Sequence, residues 1–231
     1  MDEQKRPPLE APSDGSSAHG SRFFYYAPHT LPFALFALCT YAGPFLNLPS
    51  GPVYALKTLL VGVSLVILRR GFRGEIRVKP SMEAILCGVG VFAAWILLDD
   101  LYPHLGHSSF DPYAEADGTT AVVTILFRMI GAVLVVPVME ELFWRSFAMR
   151  FVLRTDFRSL PLGVFSRYGF ALVALLFGLE HHRWLAGILA GLVYAGLLVR
   201  SRNLFTPILS HAVTNFLLGV YTLSTHQWSY W

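Results

Sequence analysis

Six polar residues stand where an apolar sequence has least use for them. Glu140, Glu141 and Arg145 interrupt the run V-V-P-V-M-E-E-L-F-W-R-S-F, His181 follows Phe177 by four in F-G-L-E-H-H-R-W, and His211 and Asn215 share T-P-I-L-S-H-A-V-T-N-F. A carboxylate, two imidazoles and an amide are what water-mediated acyl hydrolysis needs: a base, an orienting group and donors for an oxyanion. Peptide cleavage is the natural candidate. No Gly-x-Ser-x-Gly elbow is present, and the two cysteines, Cys39 and Cys87, lie inside apolar runs, so a serine or cysteine nucleophile is disfavoured.

Spacing says how these groups would be presented. On a helix, Glu141 and Arg145 share a face and can pair, while Glu140 lies about 100° round the axis and points elsewhere. Pro137, one turn earlier, is expected to bend the helix where the carboxylate emerges. His211 and Asn215 share a face too, with Pro207 suited to the first turn of their helix. With basic residues taken as boundary marks, Glu140 and His211 lie about 15 and about 14 Å deep at 1.5 Å per residue, and His181 about 21 Å. Tilt or a kink must remove the difference of about 6 Å.

The elements that carry them are set by composition. Of 231 residues, 54% are hydrophobic and 14% charged, and the mean hydropathy is +0.51. Soluble domains average about 45–50% apolar and about 25% charged, so the solvent of this chain is lipid; a disordered chain is excluded, and two cysteines exclude a disulfide framework. The expectation is an all-α, polytopic integral membrane bundle of about seven transmembrane helices, near 28–47, 53–69, 82–101, 121–150, 165–182, 184–200 and 204–223. Crossings of roughly 20 residues each leave no room for a soluble catalytic domain. Residues 1–22, rich in Pro, Ser, Gly and charge, read as a disordered cytoplasmic tail, and 23–231 as one membrane-embedded domain.

Orientation follows from the bases. With seven crossings, fourteen of the eighteen Lys and Arg fall on one side and only Arg183 on the other, with Lys57, Arg128 and Arg145 inside segments. The positive-inside rule then places the N-terminus in the cytoplasm and the C-terminus outside. Charge that alternates with the crossings is not a nucleic-acid face, so no nucleic-acid partner is expected. The acidic stretch from Asp99 to Thr120, with His104 and His107, reads as solvated loop charge. Gly187, Gly191 and Ala195 form a small-residue stripe for close helix packing.

The order Glu140-Glu141-x-x-x-Arg145, Phe177-x-x-x-His181, His211-x-x-x-Asn215 resembles the CAAX prenyl protease and bacteriocin-processing family of intramembrane endopeptidases, over about residues 121–223. The runs E-E-L-F-W-R-S-F, F-G-L-E-H-H-R-W and H-A-V-T-N are closer still to its exosortase-associated bacterial branch. The resemblance implies an enzyme of the bacterial inner membrane that cuts a peptide or membrane-anchored protein substrate near its C-terminus. In it Glu140 activates water with His181, His211 and Asn215 stabilise the oxyanion, and Glu141 and Arg145 hold the site together. The family is also described as metal-dependent, in which case Glu140, His181 and His211 would ligate zinc with a water in the open position; a metal-free glutamate mechanism uses the same residues equally well. The competing reading is a non-catalytic membrane peptide-binding or immunity protein built on the same polar cluster.

Overall fold

The computed structural model describes residues 15–106 and 109–231, and the side chains of 23–106, 109–114 and 116–231. Residues 1–14 of the expected tail, and His107, lie outside the described residues. The chain forms helices at the seven expected places: α1 Gly15–Phe45, α2 Ser50–Leu68, α3 Met82–Leu97, α4 Gly118–Phe151, α5 Arg167–Leu179, α6 Trp184–Ser201 and α7 Phe205–Thr225. No strand occurs among the described residues. Among the described residues three helices, Ser50–Gly71, Gly118–Phe151 and Trp184–Ser201, are long and apolar enough to cross a membrane, and Met82–Leu97 and Arg167–Leu179 are shorter apolar helices. The fold is an all-α membrane helix bundle.

Large apolar side chains such as Leu59, Val63, Ile67, Leu86, Leu97, Leu134 and Phe216 point outward and are exposed. Lipid can cover such a surface, and helices satisfy their own backbone polar groups there. Because lipid is as apolar as leucine, helix association depends on close packing. The Gly187–Gly191 stripe of α6 supplies it: a Cβ at Gly187 would come 2.9 Å from the Gly178 Cα, and one at Gly191 3.0 Å from the Ala174 Cα, both in α5. The α3–α7 contact is equally tight, since a Cβ at Gly88 would stand 2.5 Å from the Ser210 carbonyl.

The middle of α4 is the axis of the bundle. From Met139 to Ser146 every residue but Phe143 is buried. The helix is not regular there: it loosens into π-helical turns at Gly131–Val135 and Glu141–Ala148, on either side of Pro137. Proline lacks an N–H, and its ring crowds the carbonyl four residues back, so wider turns on its flanks relieve both faults.

Each end of the bundle is tied by an ion-pair network. At the basic end the Glu75 carboxylate accepts from Arg150 Nη2 at 2.7 Å, from His29 Nε2 at 3.3 Å and from the Ser146 hydroxyl. This corrects the use of Arg150 as a boundary mark, because only 4% of the residue is exposed. Its guanidinium turns in to meet a carboxylate from the α2–α3 connection. At the other end Arg183 donates to Asp99 at 2.5 and 3.0 Å, Tyr230 donates to it at 2.8 Å, and His104 lies 3.0 Å away. Asp99 is therefore bound rather than solvated.

Candidate active site

Four of the six singled-out residues, Glu140, His181, His211 and Asn215, line one cavity of about 350 Å³. Glu141 and Arg145 are not among its lining residues. Both are buried, and they act from behind the cavity.

Glu140 and Glu141 diverge as their helical offset predicts, yet both meet His211. Glu141 Oε1 lies 3.0 Å from His211 Nδ1, and Glu140 Oε2 lies 4.0 Å from His211 Nε2. The first is a hydrogen bond; the second is too long for one. An Nδ1–H donated to the Glu141 carboxylate fixes the tautomer and directs Nε2 at Glu140. Glu141 Oε1 is also 3.1 Å from Arg145 Nη1, with both side chains fully buried. The Arg145 guanidinium lies over the Phe177 ring, 4.0 Å from its centroid, and 5.3 Å from that of Tyr194. Aromatic faces thus share the work of holding a cation that one carboxylate oxygen anchors.

His181 is not in a helix. α5 stops at Leu179, and His181 hangs in the short turn before α6, where its backbone N–H donates to Gly178 O at 3.0 Å. α5 has thirteen residues, about 20 Å of rise, and ends short of a full crossing, and the turn after it presents His181 to the same cavity as Glu140 and His211. Its Nδ1 donates to the Phe177 carbonyl at 2.7 Å. Nε2 is thereby freed of that bond, the same arrangement as in His211.

Asn215 lies one turn after His211 on α7, and its Nδ2 donates to the Ala132 carbonyl at 2.8 Å. Ala132 belongs to the first π-helical stretch, so the loosened backbone supplies the acceptor. That bond uses one of the two amide hydrogens and leaves the second as a donor.

Sequence reasoning passed over Tyr194 and Lys57. The Tyr194 ring stacks on His211 with centroids 4.9 Å apart and planes 20° apart, and its hydroxyl donates to Thr214 Oγ1 at 2.8 Å. The signal was a lone tyrosine beside the α6 glycine stripe. Lys57, 8% exposed, donates to Thr40 Oγ1 at 3.1 Å and sits over the Phe36 and Tyr54 rings at 4.1 and 4.6 Å. It lines the same cavity. An ammonium in an apolar segment raises the same question as a carboxylate there.

Among the described residues, no group of three or more His, Cys, Asp or Glu is arranged to hold a metal ion.

Residues 122–217 match the family model described as type II CAAX prenyl endopeptidase Rce1-like. No match was found among curated proteins or among solved structures. The matched stretch runs from α4 through His211 and Asn215 and contains all six singled-out residues, so this part of the chain is similar to the type II CAAX prenyl endopeptidases.

Proposed function

We propose that the chain hydrolyses a peptide bond within the membrane by glutamate-activated water. The observation that supports this reading is the meeting of Glu140, His181, His211 and Asn215, from three separate parts of the chain, around one cavity. Glu140 takes a proton from water as its oxygen attacks the scissile carbonyl. His181 Nε2 orients that water by accepting its second O–H. The oxyanion lies against the free N–H of Asn215, with His211 donating Nε2–H when it carries a second proton; the Glu141 carboxylate on Nδ1 would stabilise that charge, as the acid of a Ser-His-Asp triad does. The proton held by Glu140 passes to the leaving amine as the C–N bond breaks. Glu141 and Arg145 position His211 and touch no substrate.

The substrate on this reading is a peptide or membrane-anchored protein cut near its C-terminus. The site of action is a bacterial inner membrane, with the N-terminus inside, as the lopsided distribution of bases supports. Affinity with the exosortase-associated branch rests on the three runs quoted above.

The test is cleavage of a peptide library with lipidated and unlipidated C-termini by detergent-purified protein, each arm with and without a strong chelator. Glu140→Ala is expected to lose at least about a thousandfold in rate. Full activity in that variant overturns the mechanism, and peptide binding without cleavage by folded wild type moves the assignment to a binding protein. Chelator-sensitive cleavage would show that a metal takes part, with Glu140, His181 and His211 as the residues to hold it.

A further inference from the structure

A second concavity, of about 410 Å³, lies at the basic end of the bundle between the start of α3, the end of α6 and the start of α7. Arg77, Lys79, Arg200 and Arg202 line it together with Ser81 and Asn203, and Glu83 is the one acid among its lining residues. None of these residues belongs to the cavity that holds Glu140.

The positive-inside rule accounts for bases in such loops, but it asks only that they be on one side, not that they share a walled recess. The walls here are fixed. Asn203 clamps the backbone of Arg77 from both sides, accepting from its N–H at 2.9 Å and donating to its carbonyl at 2.8 Å. The Leu204 N–H donates to Glu75 O at 3.0 Å in the same strip. Arg202 closes α6 in the left-handed conformation, φ 50°, and its Cγ lies within 3.4 Å of where a Cβ on Gly163 would stand, so its stem is packed. The charge inside is poorly answered: Glu83 reaches only Arg200, at 3.0 Å, and the two side chains are 49% and 76% exposed, where water screens the pair.

What adjoins the recess narrows the ligand. Val78, between Arg77 and Lys79, is 80% exposed, and Met82 and Leu86 at the start of α3 are 68% and 63% exposed. Cations in a pocket with bare apolar side chains beside them are what the boundary between headgroup and acyl chain requires. We infer that this recess binds a phosphate group, and that in the membrane the phosphate is the headgroup of an anionic phospholipid whose chains lie on Val78, Met82 and Leu86.

The experiment is thermal unfolding of the detergent-purified full chain with dioctanoyl phosphatidylglycerol, with dioctanoyl phosphatidylcholine or with inorganic phosphate. The first is expected to raise Tm saturably and the second to leave it unchanged. The double variant Arg77→Gln/Arg202→Asn removes two charges while keeping the backbone clamp on Arg77 and a residue that tolerates a left-handed φ at 202. It should bind phosphatidylglycerol about 25-fold more weakly, about fivefold per charge. Should that variant fail to fold, Lys79→Gln/Arg200→Gln, which alters only exposed side chains, carries the same expectation. A shift with inorganic phosphate and none with phosphatidylglycerol supports the phosphate site but overturns the lipid as its source. Equal shifts with both phospholipids, or a phosphatidylglycerol shift that survives in the folded variants, overturn the proposal.

Discussion

His211 Nδ1 lies 3.0 Å from Glu141 Oε1, and the imidazole's other nitrogen is thereby turned on Glu140. An amide at position 141 would offer an N–H as readily as an oxygen and could hold the opposite tautomer. Glu141→Gln is expected to lower kcat about a hundredfold or more while leaving KM near its wild-type value, by analogy with the loss seen when the acid of a triad becomes an amide. Steady-state kinetics on any cleavable peptide checks it; equal loss in kcat and gain in KM would place Glu141 in substrate binding instead.

Arg145 and Glu141 should separate stability from activity. Arg145→Met leaves a fully buried carboxylate with one partner fewer, a change that costs about 3–5 kcal/mol when a buried pair is broken, and thermal unfolding in detergent should show a clear fall in Tm. The double variant Glu141→Met/Arg145→Met removes both charges and is expected to recover most of that loss. It should stay inactive, since His211 has lost its anchor.

Gly88 sets the position of α7. A methyl group there would stand 2.5 Å from the Ser210 carbonyl and 2.8 Å from the Val213 Cβ, and backbone cannot yield as a side chain end can. Gly88→Ala is expected to cost about 1–3 kcal/mol and, by displacing His211 and Asn215, to slow cleavage roughly 10- to 100-fold. Gly90, where a Cβ meets nothing within 4 Å, is the matched comparison, and Gly90→Ala should leave rate and Tm unchanged.

The Glu75 network makes stability depend on acid pH. Burial by itself would raise the Glu75 carboxyl, but the hydrogen bond from His29, the charge of Arg150 and the Ser146 hydroxyl outweigh it and hold the group down to about 2, against an ordinary 4.5. The folded state therefore binds this proton less readily than the unfolded chain. The resulting stabilisation is fully present above pH 4.5 and is lost as pH falls toward 2, amounting to on the order of 3 kcal/mol. Unfolding curves of wild type and Glu75→Gln should differ most at neutral pH and converge only below about pH 2. A constant gap across that range would contradict the assignment.

The helices were legible because apolar runs near twenty residues long have few other uses, and the pairing of Glu141 with Arg145 was legible because four residues is one turn whether that turn is α or slightly wider. Three features were not. Where α5 stops could not be read from F-G-L-E-H-H-R-W, since His181 and His182 fit a helix end and a turn equally well. The partner of Arg150 is seventy-five residues away at Glu75, a distance that local patterning does not see. Tyr194 was passed over because its contact with His211 exists only once α6 and α7 are side by side.

The two imidazoles are mounted very differently. His211 sits in mid-helix, pinned by Glu141 and backed by the Tyr194 ring. His181 rides on a four-residue turn tied to the loop after α3, His182 to Leu105 O at 2.5 Å and Trp184 to Pro103 O at 2.9 Å. The cavity accordingly has one wall built into a helix and one hung from a turn, so a displacement of His181 would be felt by the loop and the Arg183–Asp99 pair, and a displacement of His211 by the axis of the bundle.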